Sequence, residues 1–281
     1  MPVPTLIVGL ISILSLSDAS FEVPPSRFMP GIPVESWSGL GEYLNDQGNV
    51  PLNAGCFLIL EGGSWTLVDT GFGPRGGNAP VGKLDDELKR AQVTPDQIER
   101  VIITHLHGDH VGWNTIDRDG RAEVFFKNAR HIVQRKDWDH FTQPDVKQSN
   151  PVIGLCVEPV ADAGLLDLVD GDTAITAAIT TIFTPGHTPG HQSVLVSSGG
   201  ETAVILGDVT HTPAQVIHPD WNPGFDLDQP QSAVTRQALF DRIEREGIKM
   251  AAGHYPYPSF GGIVKVNGGR RWQGVGQTAS V

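Results

Sequence analysis

The pattern of apolar and polar positions predicts strands first. From Gly55, the runs Cys56-Phe57-Leu58-Ile59-Leu60 and Trp65-Thr66-Leu67-Val68-Asp69 flank the turn Glu61-Gly62-Gly63-Ser64, a hairpin that exits in an aspartate. The same plan returns as Gln192-Ser193-Val194-Leu195-Val196, a turn at Ser198-Gly199-Gly200-Glu201, and Ala203-Val204-Ile205-Leu206-Gly207-Asp208. Two such hairpins, so far apart in the chain, predict two similar sheet halves packed together. The apolar stretch from Thr5 to Leu16 partly alternates with small polar residues, as a half-buried strand does. Its alternative is a signal-peptide h-region with Ser17-Asp18-Ala19 as a poor cleavage site, although the basic n-region is missing. At about a dozen residues it is too short to span a bilayer. A cytoplasmic location without a membrane partner is therefore expected, with export as the alternative if residues 1–19 act as a signal.

Helical spacing appears between and after the hairpins. Leu84 and Leu88 give Lys83 to Ala91 one buried face. Thr94-Pro95-Asp96-Gln97 reads as a capping-box start for a short helix, followed by the β-branched run Val101-Ile102-Ile103-Thr104. Pro230 to Glu246 predicts a long helix with Ala238, Leu239 and Ile243 inward, Arg242 and Arg245 outward, and Gly247 as its stop. Central sheets with helices around each half predict an α+β four-layer αββα sandwich with two mixed sheets. No linker composition divides the chain, so residues 1–281 form one domain. Residues 1–54 are an N-terminal extension with the first strands, 55–254 the core, and 255–281 a C-terminal strand and turn. The extension is a candidate to reach over a site or to carry a homodimer contact.

Composition narrows the function classes. The 281 residues hold 33 Gly and 21 Pro, and 19% are charged, which suits a turn-rich globular chain. Twenty Lys and Arg against 32 Asp and Glu give a net charge of -12, and no basic run reverses that field, so nucleic acid is not an expected partner. Cys56 and Cys156 match neither a disulfide framework nor a zinc-finger spacing and read as buried thiols.

The chemistry is concentrated in Thr104-His105-Leu106-His107-Gly108-Asp109-His110-Val111-Gly112. Alternation points His105 and His107 the same way on extended backbone, and Gly108 permits a reversal that brings Asp109 and His110 to a neighbouring point. One loop can thus serve two adjacent cations. His187 projects from the rigid turn Thr184-Pro185-Gly186-His187-Thr188-Pro189-Gly190-His191, in which His191 is expected to bond within the loop. Asp208 leaves the second hairpin with two oxygens able to bridge metals, and His254 follows the run Ile248-Lys249-Met250-Ala251-Ala252. Together these are nitrogen and oxygen donors suited to two first-row divalent ions, with Zn²⁺ expected first and Co²⁺, Mn²⁺ or iron as alternatives.

This ordered set, His-x-His-x-Asp-His followed by His187, Asp208 and His254, resembles the metallo-β-lactamase superfamily of metallohydrolases over roughly Asn53 to His254. The resemblance implies the αββα sandwich with its site at one edge of the two sheets. It implies that His105, His107 and His187 hold one metal, that Asp109, His110 and His254 hold the other, and that Asp208 bridges them. Asp69 matches the carboxylate that orients ligand imidazoles in that superfamily, the alternative being a strand-end turn residue. Asp109 is also a candidate to pass a proton to the leaving group.

Gly207-Asp208-Val209-Thr210-His211, Phe225-Asp226-Leu227-Asp228 and Val111-Gly112-Trp113-Asn114 look like the branch holding methyl parathion hydrolases and N-acyl homoserine lactone lactonases. The lactonases commonly have tyrosine where this chain has His211, which leans toward the parathion-hydrolase-like side. His211 is a candidate donor to substrate or an edge residue bonding its own loop. The bridging aspartate argues against β-lactam hydrolysis, and the short Gly-rich tail after His254 differs from the basic helical extension of glyoxalase II. Trp113, Trp221, Phe225 and Phe260 lie near the metal-bearing loops in sequence and are the candidate pocket wall. The expectation is a dinuclear hydrolase of small lactones or esters with promiscuous phosphotriesterase activity. The alternatives are an organophosphate hydrolase and a non-catalytic metal-binding protein.

Overall fold

The computed structural model describes residues 2–77 and 79–275. In chain order, the strands are β1 (Thr5–Val8), β2 (Ile11–Val23), β3 (Val50–Glu61), β4 (Ser64–Val68) and β5 (Ile98–Ile102). A small outlying hairpin follows, β6 (Thr115–Arg118) and β7 (Arg121–Val124), and then β8 (Arg130–Gln134) and β9 (Leu166–Val169). The second half contributes β10 (Thr173–Ala174), β11 (Ile179–Phe183), β12 (Gln192–Ser198), β13 (Glu201–Ile205), β14 (Lys249–Ala251), β15 (Phe260–Val266) and β16 (Gly269–Gly274).

Each half of the chain builds one sheet. The first has seven strands in the order β1-β2-β3-β4-β5-β8-β9 and the second seven in the order β10-β11-β12-β13-β14-β15-β16. Both are mixed: β4, β5, β8 and β9 run parallel in the first, and β13 and β14 pair parallel in the second. The expected hairpins are β3-β4 and β12-β13, and the Thr5–Leu16 stretch is the hairpin of β1 with β2. β3 begins at Val50, before the Gly55 start that the apolar run marks.

Period-two alternation explains why the central strands are apolar throughout: both faces are covered. Phe57 and Ile59 of β3, with Val68 and Ile102, face Ile179, Val194, Val196, Ile205 and Phe260 of the other sheet. Their neighbours Cys56, Leu58, Leu67 and Val101 turn outward onto Leu84 and Leu88 of the helix Leu84–Arg90. On the far side, Leu195, Val204 and Met250 pack on Leu239, Phe240 and Ile243 of the helix Gln229–Glu246. The result is the four-layer αββα arrangement.

Local chemistry sets the helix ends. Thr94 and Gln97 close a capping box on the 3-10 turn Pro95–Gln97, and Asp228 accepts from the Gln231 N–H at the start of the long helix. Gly247 ends that helix in the left-handed region at φ 65°. The inward face differs from expectation at one place: Ala238 is exposed, and Arg236 is buried beside Leu239, Phe240 and Ile243.

Candidate metal centre

Parallel pairing brings strand ends to one edge, and the polar residues follow them. Asp69 leaves β4, the His105–His110 loop leaves β5, and His187 follows β11. Asp208 leaves β13 and His254 follows β14. All seven proposed ligands meet there. His105, His107, His187 and Asp208 form one group, and Asp109, His110 and His254 another, each with its ligand atoms within 4.8 Å of one another.

Within the first group, His107 Nδ1 lies 3.0 Å from His105 Nε2 and 2.9 Å from His187 Nε2. Asp208 directs Oδ2 at this group, 3.2 Å from His187 Nε2 and 3.7 Å from His105 Nε2. Its Oδ1 turns to the second group, 3.3 Å from His110 Nε2 and 3.1 Å from His254 Nε2. Asp109 Oδ2 completes that group at 3.6 Å from both His110 Nε2 and His254 Nε2. Asp208 thus stands between the two groups, with Oδ1 toward the second and Oδ2 shared, since Oδ2 also lies 3.1 Å from His254 Nε2.

The residues fit divalent ions on their own chemistry. His110 Nε2 and Asp208 Oδ1 are buried without a hydrogen-bond partner, a condition that proteins tolerate mainly where another species completes the site. Burial, reinforced by the neighbouring His110, pulls His105 well below the usual imidazole range, and burial takes His107 down to about 3. Both offer lone pairs at neutral pH. For Asp208, burial works toward protonation, but His254, His110 and His211 outweigh it and hold the carboxyl well below its ordinary value. At His110, burial opposes charging while Asp208, Asp109 and Asp69 draw a positive charge to the ring. Neutral imidazoles at His105 and His107 beside an ionised Asp208 are a donor set for a metal cation. At His110 and His254 the same carboxylates that favour a positive charge on the metal-free rings would favour a cation in the proton's place.

Behind the ligands, other groups fix their orientation. Asp69 Oδ2 lies 2.8 Å from His110 Nδ1, while the same carboxylate accepts from the Thr104 backbone and hydroxyl at 2.7 and 2.8 Å. His254 Nδ1 donates to the Asn53 carbonyl at 2.8 Å, and His187 Nδ1 meets Asp226 Oδ1 at 2.7 Å. His191 stays within its loop against Thr184 on one side, and its Nε2 accepts from the Asp208 N–H at 2.8 Å. Asp137, on the helix Arg135–Phe141, accepts from Leu106 N, Thr188 Oγ1 and Gly190 N, which clamps two metal-bearing loops together.

A model of the metallo-β-lactamase superfamily matches residues 50–254. The chain belongs to that superfamily. It is 31% identical over 229 residues to the N-acyl homoserine lactonase AttM of Azorhizobium caulinodans, covering 72% of this chain and 79% of AttM. Among solved structures, the hydrolase AbOPH superposes with a TM-score of 0.84 at 26% identity over 99% of both chains. The dizinc quorum-quenching lactonase AidC superposes at 0.82 with 19% identity, also over 99% of both, and shares the fold. As a member of the metallo-β-lactamase superfamily, the chain is a metal-dependent hydrolase.

A cavity of about 400 Å³ opens onto the cluster. Phe21, Val23, Leu52, Phe72 and Phe225 supply its apolar wall, and His107, Asp109, Asp208, His211 and His254 its floor. The N-terminal segment thus reaches over the site, through the end of β2. Of the four aromatic residues expected on the wall, Phe225 alone is placed there. Trp113 turns inward and donates its indole N–H to Asp18, because the 3-10 turn Gly112–Asn114 aims it at the core. Trp221 packs against Trp37 and stacks on His218, and Phe260 lies between the sheets against Phe57. Nearness in sequence to a metal loop did not translate into facing the cavity.

His211 lines the cavity with its Nε2 engaged 3.0 Å from Asp208 Oδ2 and its ring stacked on His254. Burial takes its pKa down to about 4. The residues that sequence reasoning missed are Asp137, Asp226, Arg236 and the wall formed by Phe21, Val23, Leu52 and Phe72. Three of these carried a signal. Phe21 and Val23 extend the alternation of β2, and Arg236 stands three, four and seven positions before Leu239, Phe240 and Ile243.

Proposed function

We propose that this chain hydrolyses neutral, lipophilic lactones and related esters, N-acyl homoserine lactones among them. The observation that carries the reading is the cavity: an apolar wall above the ligand cluster, with no Lys or Arg among its lining residues. A substrate that carries a carboxylate or a phosphomonoester would find no cationic side chain, whereas a neutral ring with an alkyl substituent meets apolar surface. The similarity to AttM supports the lactone class.

His105, His107, His187 and Asp208 Oδ2 would hold one ion, and Asp109, His110, His254 and Asp208 Oδ1 the other. Zn²⁺ is the first expectation, from the mixed imidazole and carboxylate donors. Ions bound there would supply a nucleophile from water at neutral pH and would polarise the scissile carbonyl. Asp109 faces the cavity beside His254 and would take a proton from the attacking water and return it to the leaving alkoxide. His211 donates from Nε2 to Asp208 and keeps the bridging carboxylate in orientation. That engagement leaves the imidazole without the free donor that a tyrosine hydroxyl would present to a lactone carbonyl. It favours, as a second reading, phosphotriester hydrolysis as an accompanying activity in the same cavity, which no Lys or Arg lines.

Comparison of kcat/KM on N-acyl homoserine lactones, aryl esters and a paraoxon-like triester tests both readings. Lactones are expected to lead, activity is expected to vanish with chelator and to return with Zn²⁺, Co²⁺ or Mn²⁺. Turnover indifferent to chelator and to Asp208→Ala would overturn the reading, and a triester preferred over every lactone would reverse its order.

A further inference from the structure

We propose that Arg236 is a positioning residue for the first ligand group: through Asp226 it fixes His187, and so sets the affinity of the His105, His107, His187 and Asp208 group for its ion. Arg236 is completely buried on the helix Gln229–Glu246, with Ser232 one turn before it and Leu239, Phe240 and Ile243 after it on the same buried face. Its Nη2 lies 3.3 Å from Asp226 Oδ2 and 3.1 Å from Ser232 Oγ. The other oxygen of the same carboxylate, Oδ1, is the one 2.7 Å from His187 Nδ1. Asp226 is held from both sides, and His187 Nε2 is aimed at His107 and Asp208 as a consequence.

The remaining donors of the guanidinium reach the chain between Asp208 and Asp226. Nε donates to the carbonyl of Val209, next to Asp208, at 2.6 Å. Nη1 donates to the carbonyls of Pro219 and Trp221 at 2.7 and 2.9 Å and to Asn222 Oδ1 at 3.1 Å. One planar fork therefore registers the segment from Asp208 to Asp226 against the ligand that follows β11. Lysine has a single ammonium and cannot span these opposed partners.

The second ligand group is held by different means. His110 rests on Asp69 and His254 on the Asn53 carbonyl, and Arg236 makes no hydrogen bond to either. The inference is consequently asymmetric: loss of Arg236 falls mainly on the ion that His187 holds, since the other group shares only Asp208 with it. It rests on the dinuclear reading of the site and not on the choice of substrate.

The test uses the full chain loaded with Co²⁺ or Zn²⁺, dialysed against graded chelator buffers and read by elemental analysis and the Co²⁺ visible spectrum. The parent is expected to retain two equivalents. Arg236→Lys and Asp226→Asn are expected to release one equivalent at free-metal concentrations about ten- to a hundredfold higher than the parent, with the second shifted clearly less. The double variant is expected to lose no more affinity than the worse single, because both residues act along one chain of contacts. Melts at saturating metal check folding, and Asp226→Asn carries the test if Arg236→Lys does not fold. Equal weakening of both ions, no weakening of either, or additive losses in the double variant would each overturn the proposal and leave Arg236 as a structural rivet. A parent that holds fewer than two equivalents would overturn the dinuclear reading itself.

Discussion

Asp18 Oδ1 lies 2.8 Å from the indole Nε1 of Trp113, and the contact ties β2 to the turn that follows the His105–His110 loop. A register shift between Ser17 and Ala19 marks a bulge in the pairing of β2 with β3, and Asp18 sits in it, fully buried. Its oxygens also accept from Phe72 N at 2.7 Å and Leu84 N at 2.8 Å. Asp18→Ala would leave three N–H groups without partners, at about 1–3 kcal/mol each. The variant is expected to lose on the order of 3 kcal/mol or more in urea unfolding at saturating metal. An unchanged midpoint would show that water replaces the carboxylate at little cost.

Two buried groups oppose each other in pH: His131, away from the ligands, and Asp137, which clamps the loops that carry them. His131 of β8 is 1% exposed with neither ring nitrogen well partnered, and burial, opposed in part by the Ala129 backbone, lowers its pKa to about 4. Between about 6.5 and 4 the unfolded chain binds a proton that the folded chain refuses, so stability present above that window is lost as pH falls, by about 3 kcal/mol. Burial raises Asp137 to about 6, against the hydrogen bonds from Thr188, Gly190 and Leu106. Here the folded chain binds the extra proton, and stability present below about 4 is lost as pH rises to 6, again by about 3 kcal/mol. Relative to the parent, His131→Leu should gain stability as pH falls from 6.5 to 4. Asp137→Asn should gain as pH rises from 4 to 6. Denaturant melts across that range check both slopes, and two flat difference curves would refute them.

What the sequence disclosed, and what it hid, follows from the range of each interaction. The His105–His110 loop was legible because its donors are neighbours in the chain, and the hairpins because alternation is local. Leu84 and Leu88 marked a helix face by spacing alone. Arg236 was not legible as a partner of Asp226, since the pair forms only when a helix packs over a loop. Trp113 and Trp221 misled for the same reason: proximity along the chain says nothing of which way a ring turns. Asp137 clamps Leu106 to Thr188 and Gly190 across distances that no motif spans.

Gly207 is a position where backbone geometry and the ligand cluster meet. Its φ is 56°, and a Cβ there would stand 2.6 Å from His191 Nε2, the atom that accepts from the Asp208 N–H. Gly207→Ala is expected to displace His191 and turn Asp208, with a metal-affinity loss of about ten- to a hundredfold. Gly200→Ala is the control: its φ is 81° with nothing within 4 Å of the added carbon, so only backbone strain of about 1–2 kcal/mol applies. Metal content after limited dialysis separates the two, and equal retention would place the Gly207 constraint in the backbone alone.

Phe225 and Phe260 should respond in opposite ways to the same truncation. Phe225 is 42% exposed at the cavity, its ring 5.1 Å from His211 and 5.7 Å from Phe28. Phe225→Ala removes apolar wall that substrate would cover, so kcat/KM on a long-chain lactone is expected to fall about tenfold, mainly through KM, with little change in unfolding midpoint. Phe260 is 3% exposed between the sheets, 5.8 Å from Phe57. Phe260→Ala opens a cavity there and is expected to cost about 3–5 kcal/mol of stability while the folded fraction keeps its kcat/KM. Kinetics and urea melts on both variants check the crossing. If Phe225→Ala left KM unchanged on every lipophilic substrate, the cavity wall would not be the surface that the substrate meets, and the neutral-lactone reading would lose its main support.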